Sequence, residues 1–338
     1  MKNFSYGFVE QCLISLLNFI IIICFSRFLN PSEFAKFIII FSTITVVYLV
    51  CTGIWSNPVL VYLPTMFSEI SRFYIRFIST MNILTAVALS IFSLIIVDKF
   101  IRNLDFTEFV YAVLLSTCWC QYELIRKINY AIQSLHRILI SSTALIIAFG
   151  LLSIFFKNSL DTSKSVLLLF LSYLIAILLI GCLGSAINNY NVEKEINDYK
   201  EILEKHWNYA KWTIIGGVCY WICTQGYFII VANYISDKQL GGLRAAMNLL
   251  GLITPLLVFF ENAFTPKVSK VYHNDGIREL EKYIFKIYKI STVPFLLFVI
   301  LVTAGAYWSF PLIYGKQYNN STYLTIFFGV YQLILGLN

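Results

Sequence analysis

The apolar residues of this chain come in runs about 20 residues long, the length a helix needs to cross the hydrocarbon of a bilayer. Ten such runs are predicted as spans: Phe8–Phe25, Phe37–Trp55, Met81–Val97, Phe109–Ile125, Ile138–Phe156, Val166–Ile187, Trp212–Ile235, Leu240–Phe264, Val293–Ile313 and Tyr323–Leu337. Composition agrees. The 338 residues are 59% hydrophobic and 13% charged, against about 25% charged in an ordinary soluble domain. Too little charge remains to clothe a water-exposed surface, which excludes a soluble catalytic domain. The expectation is an all-α polytopic membrane protein. The first run follows Met1-Lys2-Asn3 with no small-residue cleavage site near its end, so it is read as an uncleaved span.

The net charge of +7 raises nucleic acid as a partner. Lys and Arg flanking the cytoplasmic ends of spans explain it more simply, and no nucleic acid is expected. The even-numbered loops hold fifteen of the basic residues and the odd-numbered loops eight. That asymmetry puts the even loops and the N-terminus in the cytoplasm, and in a bacterium the membrane is the inner one. The eight cysteines all lie in apolar runs, Cys219 and Cys223 at helical spacing, and imply packing rather than a disulfide framework.

Breaks between runs carry turn chemistry at Leu29-Asn30-Pro31-Ser32 and at Ser56-Asn57-Pro58. Two cytoplasmic segments alternate apolar and basic residues as interfacial helices do: Phe67 to Ile78 around Arg72 and Arg76, and Lys282 to Ile290. The sixth loop, Asn188 to Lys211, is the longest polar stretch. It divides the chain into an N-terminal six-helix bundle over 1–190, a cytoplasmic linker over 191–211 and a C-terminal bundle over 212–338. A weak repeat supports this division. Phe28 to Phe37 resembles Tyr234 to Leu243, and Ile78-Ser79-Thr80 recurs as Ile290-Ser291-Thr292. Six spans separate the copies, so the repeat is parallel, about an axis normal to the membrane. A second half matching the first needs two further spans, and the expectation is a longer protein of 12 or more helices.

Charged and amide side chains inside spans are the candidates for function, because an ionisable group there is costly and usually faces a protein interior or a wet cavity. In span eight Arg244, Asn248, Gly251, Pro255 and Asn262 share one helix face. A polar stripe with Gly and Pro reads as a cavity wall that bends, while an arginine snorkelling to the outer surface is the alternative. In span four Trp119, Glu123, Arg126, Tyr130, Gln133 and Arg137 recur at helical spacing, and Glu123 is placed to pair with Arg126 or Lys127. The alternative is a helix that leaves the membrane near Arg126. Span one carries Gln11, Ser15 and Asn18 on one face beside Glu10, and span seven carries Trp221 and Gln225 one turn apart. Interhelical hydrogen bonding explains such amides as well as substrate contact does. Arg27 ends span one as an interfacial anchor or a substrate contact. The three histidines, His136, His206 and His273, fall in predicted cytoplasmic loops and read as solvated. No phosphate-cradling glycine loop, HExxH or CxxC motif is present.

Leu240 to Pro255, followed by Glu261-Asn-Ala-Phe-Thr-Pro266, resembles the eighth span of Wzx-type polysaccharide flippases of the multidrug/oligosaccharidyl-lipid/polysaccharide exporter superfamily. Ser26 to Phe34 is similar to that family's first extracytoplasmic turn, with Ala35 where glycine is frequent. Tyr122 to Gln133 is similar to its fourth span, and Leu312 to Tyr318 to the turn closing its ninth. The resemblance implies a MATE-like pair of helix bundles around a central cavity. It implies a substrate in which a repeat-unit glycan is joined to a polyprenyl pyrophosphate, as in O-antigen and capsule biosynthesis. The polar residues inside spans are the candidate contacts for such a substrate: Arg244, Asn248, Gln225, Arg126, Glu123, Asn18, Gln11 and Arg27, with Gly251 and Pro255 as bending points. Other partners are the lipid bilayer and the polymerase and chain-length proteins of the same pathway. No cofactor or metal is implied, and a proton or Na+ gradient as the driving force is left open. Two alternatives stand beside this reading: a multidrug antiporter on the same fold, which needs acids deep in the first half, where only Glu10 and Glu123 qualify; and a membrane polysaccharide polymerase, an enzyme, which needs a large extracytoplasmic loop.

Overall fold

The structure, a computed structural model, describes residues 2–67, 70–182, 199–251 and 254–337. Every regular element among them is a helix. In chain order these are α1 (Lys2–Phe28), α2 (Pro31–Cys51), α3 (Asn57–Tyr62), α4 (Ser71–Phe100), α5 (Phe106–Ala131), α6 (Leu135–Phe156) and α7 (Thr162–Cys182). There follow α8 (Tyr199–Trp221), α9 (Tyr227–Val231), α10 (Asp237–Leu250), α11 (Thr254–Tyr314) and α12 (Leu324–Leu337). Among the described residues, 7 helical segments are long and apolar enough to cross a membrane. The protein is thus an all-α polytopic membrane protein. Helix α5 falls outside those seven because Glu123, Arg126 and Lys127 crowd its C-terminal half.

The helix starts follow from local chemistry. Asn30 caps α2, its side chain accepting from the Glu33 amide at 2.9 Å, with Pro31 at the first helical position. Asp105 and Glu108 form a reciprocal capping box on α5, and Lys36 of α2 reaches Glu108 at 2.8 Å. Glu33 accepts the Thr162 amide at 2.8 Å at the start of α7. The N-termini of α2, α5 and α7 are thereby gathered at one end of the first unit. Helix α5 ends where Gln133 adopts φ 58 and the Ser134 amide bonds back to Asn129, closing the last turn. Gln133 and Arg137 therefore leave the stripe that the sequence spacing assigned to span four, and Arg137 belongs to α6.

The chain divides into two compact units: Met1–Ile14 with Phe28–Ser236, and Ser15–Arg27 with Asp237–Asn338. The first includes α8 and α9, which the sequence reading gave to the linker and the second bundle. Residues 183–198, the end of predicted span six and the first part of the sixth loop, lie outside the described residues. In the first unit α2 is central, packed by α4, α5, α7 and α8.

Three expectations are corrected. Ser56-Asn57-Pro58 is no turn between spans. The helix continues from α2 into α3 through a π-turn at Thr52–Ser56, in which the Asn57 amide reaches back to the Thr52 carbonyl. The wider turn admits the proline ring, which an α-helical turn would drive against the carbonyl four residues back. A second π-turn, Ile222–Gly226, joins α8 to α9. The segment Phe67 to Ile78 does not form an interfacial helix of its own with its apolar residues turned outward. Phe67, Ile70, Tyr74 and Ile78 are buried in a core with Trp55, Leu124 and Ile202, and α4 runs unbroken from Ser71. Nor is Lys282 to Ile290 a separate helix. It is part of α11, whose only break in helical geometry is Gly276, at φ 78. At that φ a side chain would be strained, so the glycine lets the chain turn there.

Candidate functional site

Glu123, Arg126 and Gln11 of the predicted set come together in the first unit, and Glu10 joins them. Register brings this about. On α5, Trp119, Glu123, Arg126 and Tyr130 are separated by one turn each and form one stripe. On α1, Glu10 and Gln11 are neighbours facing that stripe. The Arg126 Nη1 donates to Glu123 Oε2 at 2.6 Å and its Nη2 to Glu10 Oε2 at 3.0 Å. Its Nε lies 2.9 Å from Glu10 Oε1, an ion-pair contact out of line for a hydrogen bond. Gln11 Oε1 is 3.4 Å from Nη2. Tyr130 donates to Glu10 Oε2 at 2.7 Å and Ser142 of α6 to Oε1 at 3.0 Å. Ser142 in turn lies 2.9 Å from the Tyr122 hydroxyl, which must donate because the serine hydrogen is already committed.

Glu10 is 1% exposed, Glu123 4% and Arg126 8%. A carboxylate can accept at about four lone-pair positions, and Glu10 accepts three hydrogen bonds beside its ion pair with the Arg126 Nε. Lys127 lies 3.7 Å from Glu123 Oε1. Two carboxylates thus face one guanidinium and one ammonium, and the cluster carries no net charge. Removing either sign from such a buried group is expensive, because the remaining charge is stranded at low dielectric.

An aromatic stack runs up the same α5 stripe. The Trp119 ring packs on Phe41 at 5.3 Å, on Tyr48 at 4.8 Å and on Tyr173 of α7 at 5.8 Å between centroids, all nearly parallel. Tyr173 meets Tyr122 edge-on at 5.4 Å. The aromatic column therefore ends at the hydroxyl that feeds Ser142 and Glu10.

The other predicted residues have different surroundings. In the second unit, Arg244 is 8% exposed on the buried face of α10. One turn on, Asn248 Nδ2 donates to the Phe19 carbonyl at 3.1 Å and the Tyr314 hydroxyl at 2.9 Å. Both amide hydrogens are thus committed within the unit. Arg27 is exposed and directs its guanidinium to the last carbonyls of α11, Leu312 and Ile313, the latter at 2.7 Å. A cation there complements the negative end of the helix dipole. Asn18 is exposed on α1. Gly251 follows the end of α10, residues 252–253 lie outside the described residues, and Pro255 opens α11. The side chains of Pro255 and Asn262 lie outside the described residues as well. Gln225, half-buried, sits in the second π-turn, while Trp221 before it donates from Nε1 to the Ser42 carbonyl at 2.9 Å. Gly226 leaves room for the Trp221 ring, which a Cβ would meet at 2.7 Å.

One histidine was misread from sequence. His206 is 1% exposed, not solvated. It lies in α8 among Trp55, Tyr62 and Tyr74. Its spacing with Ile202 and Ala210, both buried, was the available signal, hidden by the charged residues around it. Ser142 and Tyr122 were also missed as partners of Glu10, since nothing in the spacing of one helix reveals what a neighbouring helix offers.

Comparison with protein-family models, curated proteins and solved structures returned no match.

Proposed function

We propose that this chain is a flippase that moves polyprenyl-pyrophosphate-linked oligosaccharide repeat units across the bacterial inner membrane for surface polysaccharide assembly. The observation that carries the reading is the charge balance around Arg126. A multidrug antiporter on a related architecture would take cationic substrates and needs available acids in its first half. Glu10 and Glu123 are buried where that alternative wants them, but Arg126 holds both within 3.0 Å. A balanced cluster favours a polar, uncharged portion of a substrate over a cation.

In this reading alternating access carries the headgroup across while the lipid tail stays in the bilayer. Arg244 binds the pyrophosphate, for which a guanidinium fork is the fitting donor and needs no protonation step. Gly251 and Pro255 let the chain bend beside it. Gln225, Asn18 and Arg27 are secondary candidates, and Arg27 is already engaged with backbone carbonyls in the state described. Polymerase and chain-length proteins receive the product. No cofactor is needed, and the driving gradient is left to experiment.

Deleting the gene tests this. The deletion strain loses its surface polysaccharide, and the wild-type gene restores it. A strain that keeps its polysaccharide but gains sensitivity to cationic compounds would favour the antiporter instead.

A further inference from the structure

We propose that α8 is a hinged strap, which pivots at the π-turn Ile222–Gly226 and is latched to the first unit at its other end by His206. The inference goes beyond the flippase reading and does not depend on the substrate.

The seam that holds α8 is narrow. Only 11% of the residues in the most apolar part of Tyr199–Val231 are buried, against 61% in Pro31–Tyr62. Within α8 the buried residues are Ile202, His206 and Ala210, one turn apart on a single face. They offer one aliphatic side chain, one imidazole and one methyl. The helix packs chiefly on α2, on the π-turn that follows it and on α3. Further along, Gly217 lies against Leu49 and Gly53 against Ile214, so backbones approach with little side-chain interlock.

The two ends of the seam are unequal. Near the start of α8, His206 Nδ1 lies 2.7 Å from the Ile54 carbonyl oxygen and Nε2 2.8 Å from the Tyr74 hydroxyl. The Tyr62 hydroxyl donates to the Lys205 carbonyl at 3.3 Å beside them. Exposed Lys200, Glu201 and Glu204 mark this as the end in water, where solvent takes over each bond that breaks. At the far end Trp221 is held to the Ser42 carbonyl, and beyond the π-turn α9 is anchored by Phe228, which is fully buried.

Helices in lipid are held together by packing and hydrogen bonds, because separating them exposes apolar surface to an apolar solvent. A one-sided seam is therefore released by breaking its few polar bonds. A π-turn is a natural place for a helix to bend. Since α8 is one unbroken helix from Tyr199 to Trp221, it moves as a rod, and His206 sits on a lever about 24 Å long from Ile222. Release swings the start of α8 off the Ile54–Tyr74 socket while α9 stays in place.

The test is pulsed-EPR distance measurement on the whole chain in lipid nanodiscs, in a background stripped of native thiols. Nitroxides are attached at Trp207→Cys and Ile83→Cys, positions 60% and 40% exposed on α8 and α4. A control pair joins Ile83→Cys to Ile230→Cys, beyond the hinge on α9. The expected result for the first pair is a main distance and a second, displaced one. Tyr74→Phe removes one latch bond and raises the ratio of second to main about threefold, and His206→Ala removes two and raises it roughly eightfold. The control pair keeps one distance throughout. Tyr74→Phe keeps its ring in the core, so the measurement stands even where His206→Ala fails to fold. Distances at Trp207 that neither variant changes, or an equal displacement at Ile230, overturn the strap. Either result leaves the flippase reading to its own test in the deletion strain.

Discussion

His206 Nδ1 lies 2.7 Å from the Ile54 carbonyl oxygen, and this bond replaces one that the helix itself lacks. In a regular helix Ile54 would accept from the amide four residues on, which is Pro58 and has no hydrogen to give. Because a carbonyl only accepts, the imidazole hydrogen is on Nδ1. Nε2 then accepts from the Tyr74 hydroxyl at 2.8 Å. A proline on one helix, a π-turn before it and a histidine on a distant helix form one unit of structure.

That relationship predicts a coupling. His206→Ala leaves the Ile54 carbonyl and the Tyr74 hydroxyl buried without partners, at about 1–3 kcal/mol each. Pro58→Ala returns an amide hydrogen to the position that Ile54 needs. The double variant should therefore melt at a higher temperature in detergent than His206→Ala alone. Strictly additive losses would show that the histidine does not stand in for the missing amide.

Arg126 gives a second prediction. Arg126→Met strands two buried carboxylates and should cost about 3–5 kcal/mol, seen as loss of folded protein from the membrane. Combining it with Glu10→Gln and Glu123→Gln removes the stranded charges and should recover most of the folded protein. Equal loss from the single and the triple variant would mean that the cluster is not held by its charge balance.

Close packing in the second unit supplies a third. A Cβ at Gly242 would fall 2.4 Å from the Ser321 Cβ. Gly242→Ala therefore forces α10 from the turn before α12, a strain of about 1–3 kcal/mol. Ser321→Gly opens the space and should restore thermal stability to the double variant. An unchanged melting temperature for Gly242→Ala would contradict the packing.

Much of this was legible in the residues, and the gaps have physical causes. Long apolar runs predict membrane helices because backbone groups in lipid must be paired within the helix, and α1, α4, α6 and α7 follow them. The Glu123–Arg126 pair was visible as an i, i+3 spacing. Glu10 was visible as an acid beside Gln11, but its pairing with Arg126 was not, because its partners come from α5 and α6, over a hundred positions away. Pro58 signalled a break, and only the structure shows that a π-turn and His206 together carry a helix through it. In span eight the periodicity of Arg244, Asn248 and Gly251 continued to Pro255 on paper, whereas α10 ends at Leu250. Repetition of residue types cannot report where a helix stops.

Topology is a fourth prediction, motivated by the excess of Lys and Arg in even loops. Single cysteines at Lys200 and Lys316, in a background stripped of native thiols, should label from opposite sides of the membrane with an impermeant maleimide. Labelling of both from outside in intact cells would overturn the orientation.

Arg244 and the transport claim meet in one measurement: the sidedness of the lipid-linked oligosaccharide. Spheroplasts of the deletion strain are treated with an impermeant lectin or with periodate, and the modified fraction of the lipid-linked glycan is measured. The account predicts that wild-type protein exposes the glycan on the outer face. Arg244→Ala, at equal protein level, leaves it protected inside, and Arg244→Lys, which keeps the charge without the fork, exposes part of it. Equal exposure in the deletion strain and the complemented strain would contradict the claim that this chain moves the glycan across the membrane.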